Sequence, residues 1–145
     1  MIFLDTSVLV QPFERSLDTL QVEMTRRASQ LMREIASGRV AATTSEAVVA
    51  EVAYMMGGPR FFGRDAHLVA ATLAAILSSR SLEFPTKAVC QRALDIWAAR
   101  PGLGFVDSLS VANVERHDVQ LASFDRQLLR SSGVTPYWPE LEAPL

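Results

Sequence analysis

Apolar residues in this chain recur at steps of three and four over long stretches, with short unbroken apolar runs between them, a pattern that predicts helices alternating with brief buried strands. Residues 1–4 form one such run and read as a strand ending at Asp5, and residues 6–13 read as a turn or short helix. Leu17, Leu20, Met24, Ala28, Leu31 and Ile35 keep the helical step, with Ser16 as cap and Gly38 as stop, and predict an amphipathic helix. Residues 40–43 make a second strand, and Ser45 caps a helix that Gly57-Gly58-Pro59 ends. Asp65 caps the next helix, whose Leu68, Val69, Thr72, Leu73, Ile76 and Leu77 form a broad apolar face. Residues 82–84 are a brief strand. Pro85-Thr86 then opens a helix carrying Val89, Ala93, Ile96 and Trp97, which stops at Pro101-Gly102. A helix over about 106–117, a strand at 119–122, a helix at 125–130 and a last strand at 134–135 complete the series.

Strands and helices in alternation predict an α/β fold, with a short parallel sheet of four to five strands covered by helices on both faces. A chain of 145 residues is one domain in length. The expected division is a domain over 1–135 and a C-terminal tail over 136–145. No repeat, low-complexity run or linker interrupts it.

Composition narrows the picture only a little. The chain has 14 Lys and Arg against 16 Asp and Glu, so its net charge of −2 gives no general attraction to nucleic acid, although a local arginine patch remains free to act. A single cysteine, Cys90, rules out an internal disulfide and suits a reducing cytoplasm; its helical neighbours Val89, Ala93 and Trp97 make it a small core residue. The start of the chain lacks the basic stretch of a secretory signal, and the apolar stretch 66–77 contains His67 and Thr72 and is too short to span a bilayer. The expectation is a cytoplasmic protein with no membrane partner.

Candidate chemistry lies in four carboxylates placed among hydrocarbon: Asp5 closes the run 1–4, Glu51 sits beside Val48, Val52 and Met55, Asp107 follows Phe105-Val106, and Asp125 follows 121–124. Singly, Asp5, Asp107 and Asp125 are each explained as helix N-caps, worth about 1 kcal/mol. Glu51, in mid-helix and expected to face inward, would cost several kcal/mol without a partner. Asp5 and Asp125 both follow a strand, and right-handed crossovers bring such positions to one edge of a parallel sheet. Two carboxylates about 4 Å apart repel by roughly 4 kcal/mol at an effective dielectric near 20, so a converged set needs protonation or a cation. Oxygen ligands alone select a hard ion, Mg2+ or Mn2+, and such an ion suits phosphodiester hydrolysis. His67, His117 and Cys90 lack zinc-ligand spacing, no phosphate-binding glycine loop is present, and Ser7, Ser108 and Ser123 have no well-placed histidine base.

The stretches 3–7 (Phe-Leu-Asp-Thr-Ser), 45–51 (Ser-Glu-Ala-Val-Val-Ala-Glu), 104–108 (Gly-Phe-Val-Asp-Ser) and 122–126 (Ala-Ser-Phe-Asp-Arg) occur in an order and spacing similar to the PIN-domain ribonucleases, in particular the toxins of VapBC-type toxin–antitoxin pairs. The resemblance spans almost the whole chain. It implies a PIN-like three-layer fold and a magnesium-dependent endoribonuclease acting on RNA, assembled as a homodimer and occluded by a cognate antitoxin protein. It makes Asp5 and Asp107 the metal ligands, has Glu51 and Asp125 complete the acidic pocket, and gives Ser7 a supporting hydrogen bond. Arg60, Arg64, Arg126 and Arg130 are candidates for RNA backbone contacts or plain surface charges. The loop 57–63, with Phe61 and Phe62, is open between a core connection and a dimer or antitoxin contact.

Two other readings stand beside this one. A haloacid dehalogenase-type phosphatase also starts from a strand-end aspartate but wants a second acid at position 7, where this chain has Ser7. A non-catalytic PIN-like binding module would keep the fold and use the acids for structure or for a partner's arginines.

Overall fold

The structure, a computed structural model, describes residues 1–58 and 63–141 of the chain. Its elements in order are β1 (Ile2–Phe3), α1 (Thr6–Leu9), a 3-10 turn (Gln11–Phe13), α2 (Thr19–Ala36), β2 (Ala42–Thr43), α3 (Glu46–Gly57), α4 (Ala66–Leu77), α5 (Lys87–Ala99), a 3-10 turn (Pro101–Leu103), α6 (Phe105–His117), α7 (Arg126–Leu129) and a 3-10 turn (Pro139–Leu141). Arg60, Phe61 and Phe62, named above as candidates, lie outside the described residues.

Helices start where short polar side chains can take up their free N–H groups. Ser45 accepts from Val48 N at 3.3 Å, and Asp65 accepts from His67 N at 2.8 Å and Leu68 N at 3.3 Å. The second helix begins later than Ser16 suggested, because Asp18 supplies the cap, accepting from Leu20 N and Gln21 N at 3.1 and 3.3 Å. Only the far end of its stripe is in the core. Ala28 and Ile35 are buried and Leu31 packs against the core cluster that holds Ile35, whereas Leu17 is 92% exposed and Leu20 and Met24 also face solvent.

The sheet is much smaller than expected. β1 and β2 pair in parallel, Ile2 opposite Ala42 and Phe3 opposite Thr43, and Leu82 adds a single parallel bridge on the other side of Ala42. A separate bridge joins Leu121 to Pro136. Among the described residues there are therefore two strands, not four to five, in a helix-rich α/β arrangement. Burial and proline explain the reduction. Of the run 1–4 only Leu4 is in the core; Ile2 and Phe3 are exposed, so β1 lacks the two covered faces of a central parallel strand. Pro136 has no N–H to continue a ladder beyond its one bridge.

Most burial comes from helix packing. α5 lies along α6, with Cys90, Ala93, Leu94 and Trp97 against Phe105, Leu109 and Ala112 in one core cluster. Trp97 meets Phe105 edge to face, ring centres 5.9 Å apart at 68°, and Arg92 holds Glu115 through two hydrogen bonds of 2.8 and 3.1 Å. Cys90 is fully buried, and loss of hydration, with the charge of Glu46 second, pushes its thiol up to about 11. A second, smaller core of Leu103, Val111 and Leu128, joined by Ile96, Leu121 and Val134, seats α7 on α6.

Gly57, the last residue of α3, shows how closely the helices approach. A Cβ there would stand 2.8 Å from the Trp97 ring, which is itself fixed in the core. Gly57→Ala is expected to lower the stability of the domain by about 1–3 kcal/mol, the usual cost of overpacking, as measured by urea unfolding. An unchanged midpoint would show that the α3–α5 contact is loose.

Candidate functional site

Asp5 owes its position to the end of β1. Leu4 is buried, its N–H donates to Thr43 O at 2.8 Å, and its carbonyl accepts from the buried Thr44 hydroxyl at 2.8 Å. The next residue, Asp5, is exposed and caps α1: its Oδ2 accepts from the Ser7 hydroxyl at 2.9 Å and from Ser7 N at 3.3 Å. Those bonds, with one from the Thr6 backbone, hold its carboxyl below the usual carboxylate range. Ser7 thus acts on the carboxylate itself.

Glu51 is not inward-facing. The buried stripe of α3 is Val49, Val52, Ala53 and Met56, and Glu51 falls on the exposed side. Val48 and Met55, which suggested burial, are only half-buried flanks of that stripe. The expected penalty for a buried charge does not arise. What marks Glu51 is its partner: the Thr6 hydroxyl donates to its Oε2 at 2.5 Å, tying α3 to the turn that carries Asp5 and Ser7. Nothing in the spacing singled out Thr6; its place between Asp5 and Ser7 was the available signal.

Asp107 is in the first turn of α6, not at its cap. Gly104 is the cap, with φ of +82°, a conformation that suits glycine and swings the chain from the 101–103 turn into the helix. The side chain of Asp107 is half-buried and lines a cleft of about 410 Å³ walled by Tyr54, Gly57, Trp97, Phe105 and Val106 among others. Partial loss of hydration, and then the charge of Asp125, push its carboxyl above the usual range. Asp125 is exposed and caps α7, its Oδ1 accepting from Gln127 N at 2.9 Å and Leu128 N at 3.1 Å. Arg100 reinforces that placement by donating to Ser131 Oγ at 3.0 Å, from the end of α5 to the end of α7.

The acids therefore come together in two pairs: Glu51 with the Asp5 turn through Thr6, and Asp107 with Asp125 through their charges. As a donor set they match a hard cation, being oxygen throughout, and the repulsion between Asp107 and Asp125 is of the kind a cation relieves. The match is one of chemistry. Among the described residues no three His, Cys, Asp or Glu stand close enough together to hold an ion. Of the candidate arginines, Arg126 at the start of α7 and Arg130 at its C-cap are exposed, while Arg64 turns inward and donates to Phe13 O at 3.1 Å.

The raised Asp107 carboxyl makes the domain sensitive to pH in a defined direction. Its folded-state value lies above its unfolded one, so the site has no penalty while both states are protonated, and stability is lost as pH rises through the folded value. In chelator, Asp107→Asn is expected to melt higher than the parent at pH 7 and to lose that advantage near pH 3. Equal melting shifts at both pH values would show that the Asp107 carboxyl is not raised in the folded domain.

No helix among the described residues is long and apolar enough to cross a membrane. No curated protein and no solved structure matches the chain. The family model described as PIN domain matches residues 2–133, nearly the whole sequence, and the chain belongs to that family, whose members are generally nucleases.

Proposed function

We propose that this PIN-domain chain is a metal-dependent endoribonuclease that hydrolyses RNA phosphodiester bonds, and that it is the toxin of a type II toxin–antitoxin pair. The observation that carries the catalytic part is the pair Asp107 and Asp125, brought within reach of each other's charge beside an open cleft by two separately folded helix starts. Asp5 and Asp107 are the residues that would hold Mg2+ or Mn2+. When bound, the ion supplies charge neutralisation at the scissile phosphate and acidifies the attacking water. The side chains do the rest. Ser7 keeps the Asp5 carboxylate ionised and oriented, Thr6 aims Glu51, and Asp125, with Oδ1 engaged in capping α7, adds its charge to that of Asp107. Hydrolysis forms a bond from water oxygen to phosphorus, breaks the bond to the ribose oxygen, and returns a proton to that leaving oxygen.

A partner is favoured by a separate feature. Leu17, Leu20 and Met24 expose an apolar strip at the start of α2, a face that a second copy of the chain or an antitoxin would cover. The binding-module reading draws support from the absence of a three-acid cluster among the described residues. Titration calorimetry separates it: no heat with millimolar Mg2+ or Mn2+ favours the module.

Asparagine is as good an N-cap as aspartate, so Asp5→Asn should fold as the parent does. It is expected to abolish cleavage of labelled RNA in Mg2+ or Mn2+ with the thermal unfolding curve unchanged; full activity in nuclease-free protein would defeat the proposal. Thr6→Val frees Glu51 from its donor and is expected to reduce kcat by roughly tenfold to a hundredfold, the range of a hydrogen bond to a charged group. An unaffected kcat would make the Thr6–Glu51 bond purely structural.

A further inference from the structure

Two short segments on either side of α7 place three aromatic rings beside Asp125. Leu121 N donates to Thr135 O and Tyr137 N donates to Leu121 O, both at 2.8 Å, so the residues after Leu121 run alongside those after Pro136. Phe124 and Trp138 then stack, ring centres 5.3 Å apart and planes within 8°, and Tyr137 meets Trp138 edge-on at 5.3 Å and 70°. The stack does not serve a core. Phe124 is 83% exposed, and Tyr137 also faces solvent. Trp138 covers one face of Phe124 and leaves the other open. Phe124 lies within the range of the family match, and Tyr137 and Trp138 follow residue 133, where that match ends.

We propose that the Phe124–Trp138 stack, with Tyr137 at its edge, is a nucleobase platform that seats single-stranded RNA against Asp125 and Asp107. The proposal rests on the nuclease reading for its choice of ligand. A base has two flat faces and continues a stack of rings without regard to its identity. A base inside a duplex has no free face, so the strand must be single. Phe124 directly precedes Asp125, whose charge reaches Asp107, so a base on the platform holds its own phosphates beside the acids. Arg126 on α7 and Arg130 at its C-cap are exposed and enter no salt bridge among the described residues, leaving both cations for those phosphates.

The test uses the full chain, an eight-residue labelled oligoribonucleotide and a chelator, so that the strand stays whole. Binding is read from the anisotropy of the labelled strand, and quenching of tryptophan emission is assigned by comparison with Trp138→Phe, because Trp97 walls the cleft beside Asp107. Phe124→Ala, at an exposed position, should melt as the parent does and raise Kd about tenfold, with Phe124→Tyr restoring affinity. An abasic strand of the same length should bind weakly and ignore both substitutions. Tight binding by Phe124→Ala, or no binding by the parent, overturns the platform; RNA binding indifferent to Phe124 would assign the rings to a protein contact instead. Cleavage measured in parallel with Mn2+ separates the two readings: loss of the Phe124 effect with cleavage intact removes only the platform, and Phe124-dependent binding without cleavage removes only the nuclease.

Discussion

The packing of α6 along α5 is the constraint on which the other features rest. With so little sheet, the long helices must bury each other, and Trp97 against Phe105 with Arg92 on Glu115 fixes both the distance and the register of this pair. One consequence is the direction of the first turn of α6, and hence of Asp107. Another is the cleft, since the Trp97 ring that packs on Phe105 also forms its wall and limits residue 57 to glycine. The third is the small core around Val111, which carries α7 and so brings Asp125 into the field of Asp107.

Three of the four acids have structural duties that would exist without any reaction. Asp5 and Asp125 cap helices and Asp107 sits in a first turn, each satisfying N–H groups or complementing a helix dipole. The two roles are compatible because a cap engages one face of a carboxylate: Asp125 uses Oδ1 for α7 and keeps a second oxygen. Capping also locks these side chains in place before any substrate arrives, which is what an electrostatic site requires.

Helix positions were legible because they are written locally. Ser45, Asp65 and the glycine stops mark real ends, and the stripe of Cys90, Ala93 and Trp97 marks a real core face. The strands were not. A short apolar run states that something is buried, but whether it pairs depends on neighbours distant in sequence and on donors such as the one Pro136 lacks. Glu51 failed for a related reason. Its flanks Val48 and Met55 are apolar, yet the helix turns Val49, Val52 and Met56 inward, and a shift of one position in a 3.6-residue period decides which side a charge occupies. Thr6 could be read only with coordinates, because its partner lies in another element.

Cys90 gives the chain one last property. With its only sulfhydryl sealed between α5 and its neighbours and kept protonated well past neutrality, the chain presents no thiolate to attack peroxide or oxidised glutathione, and no disulfide within it depends on the surrounding redox poise. The fold contains no disulfide to make or break, and non-covalent contacts hold it together.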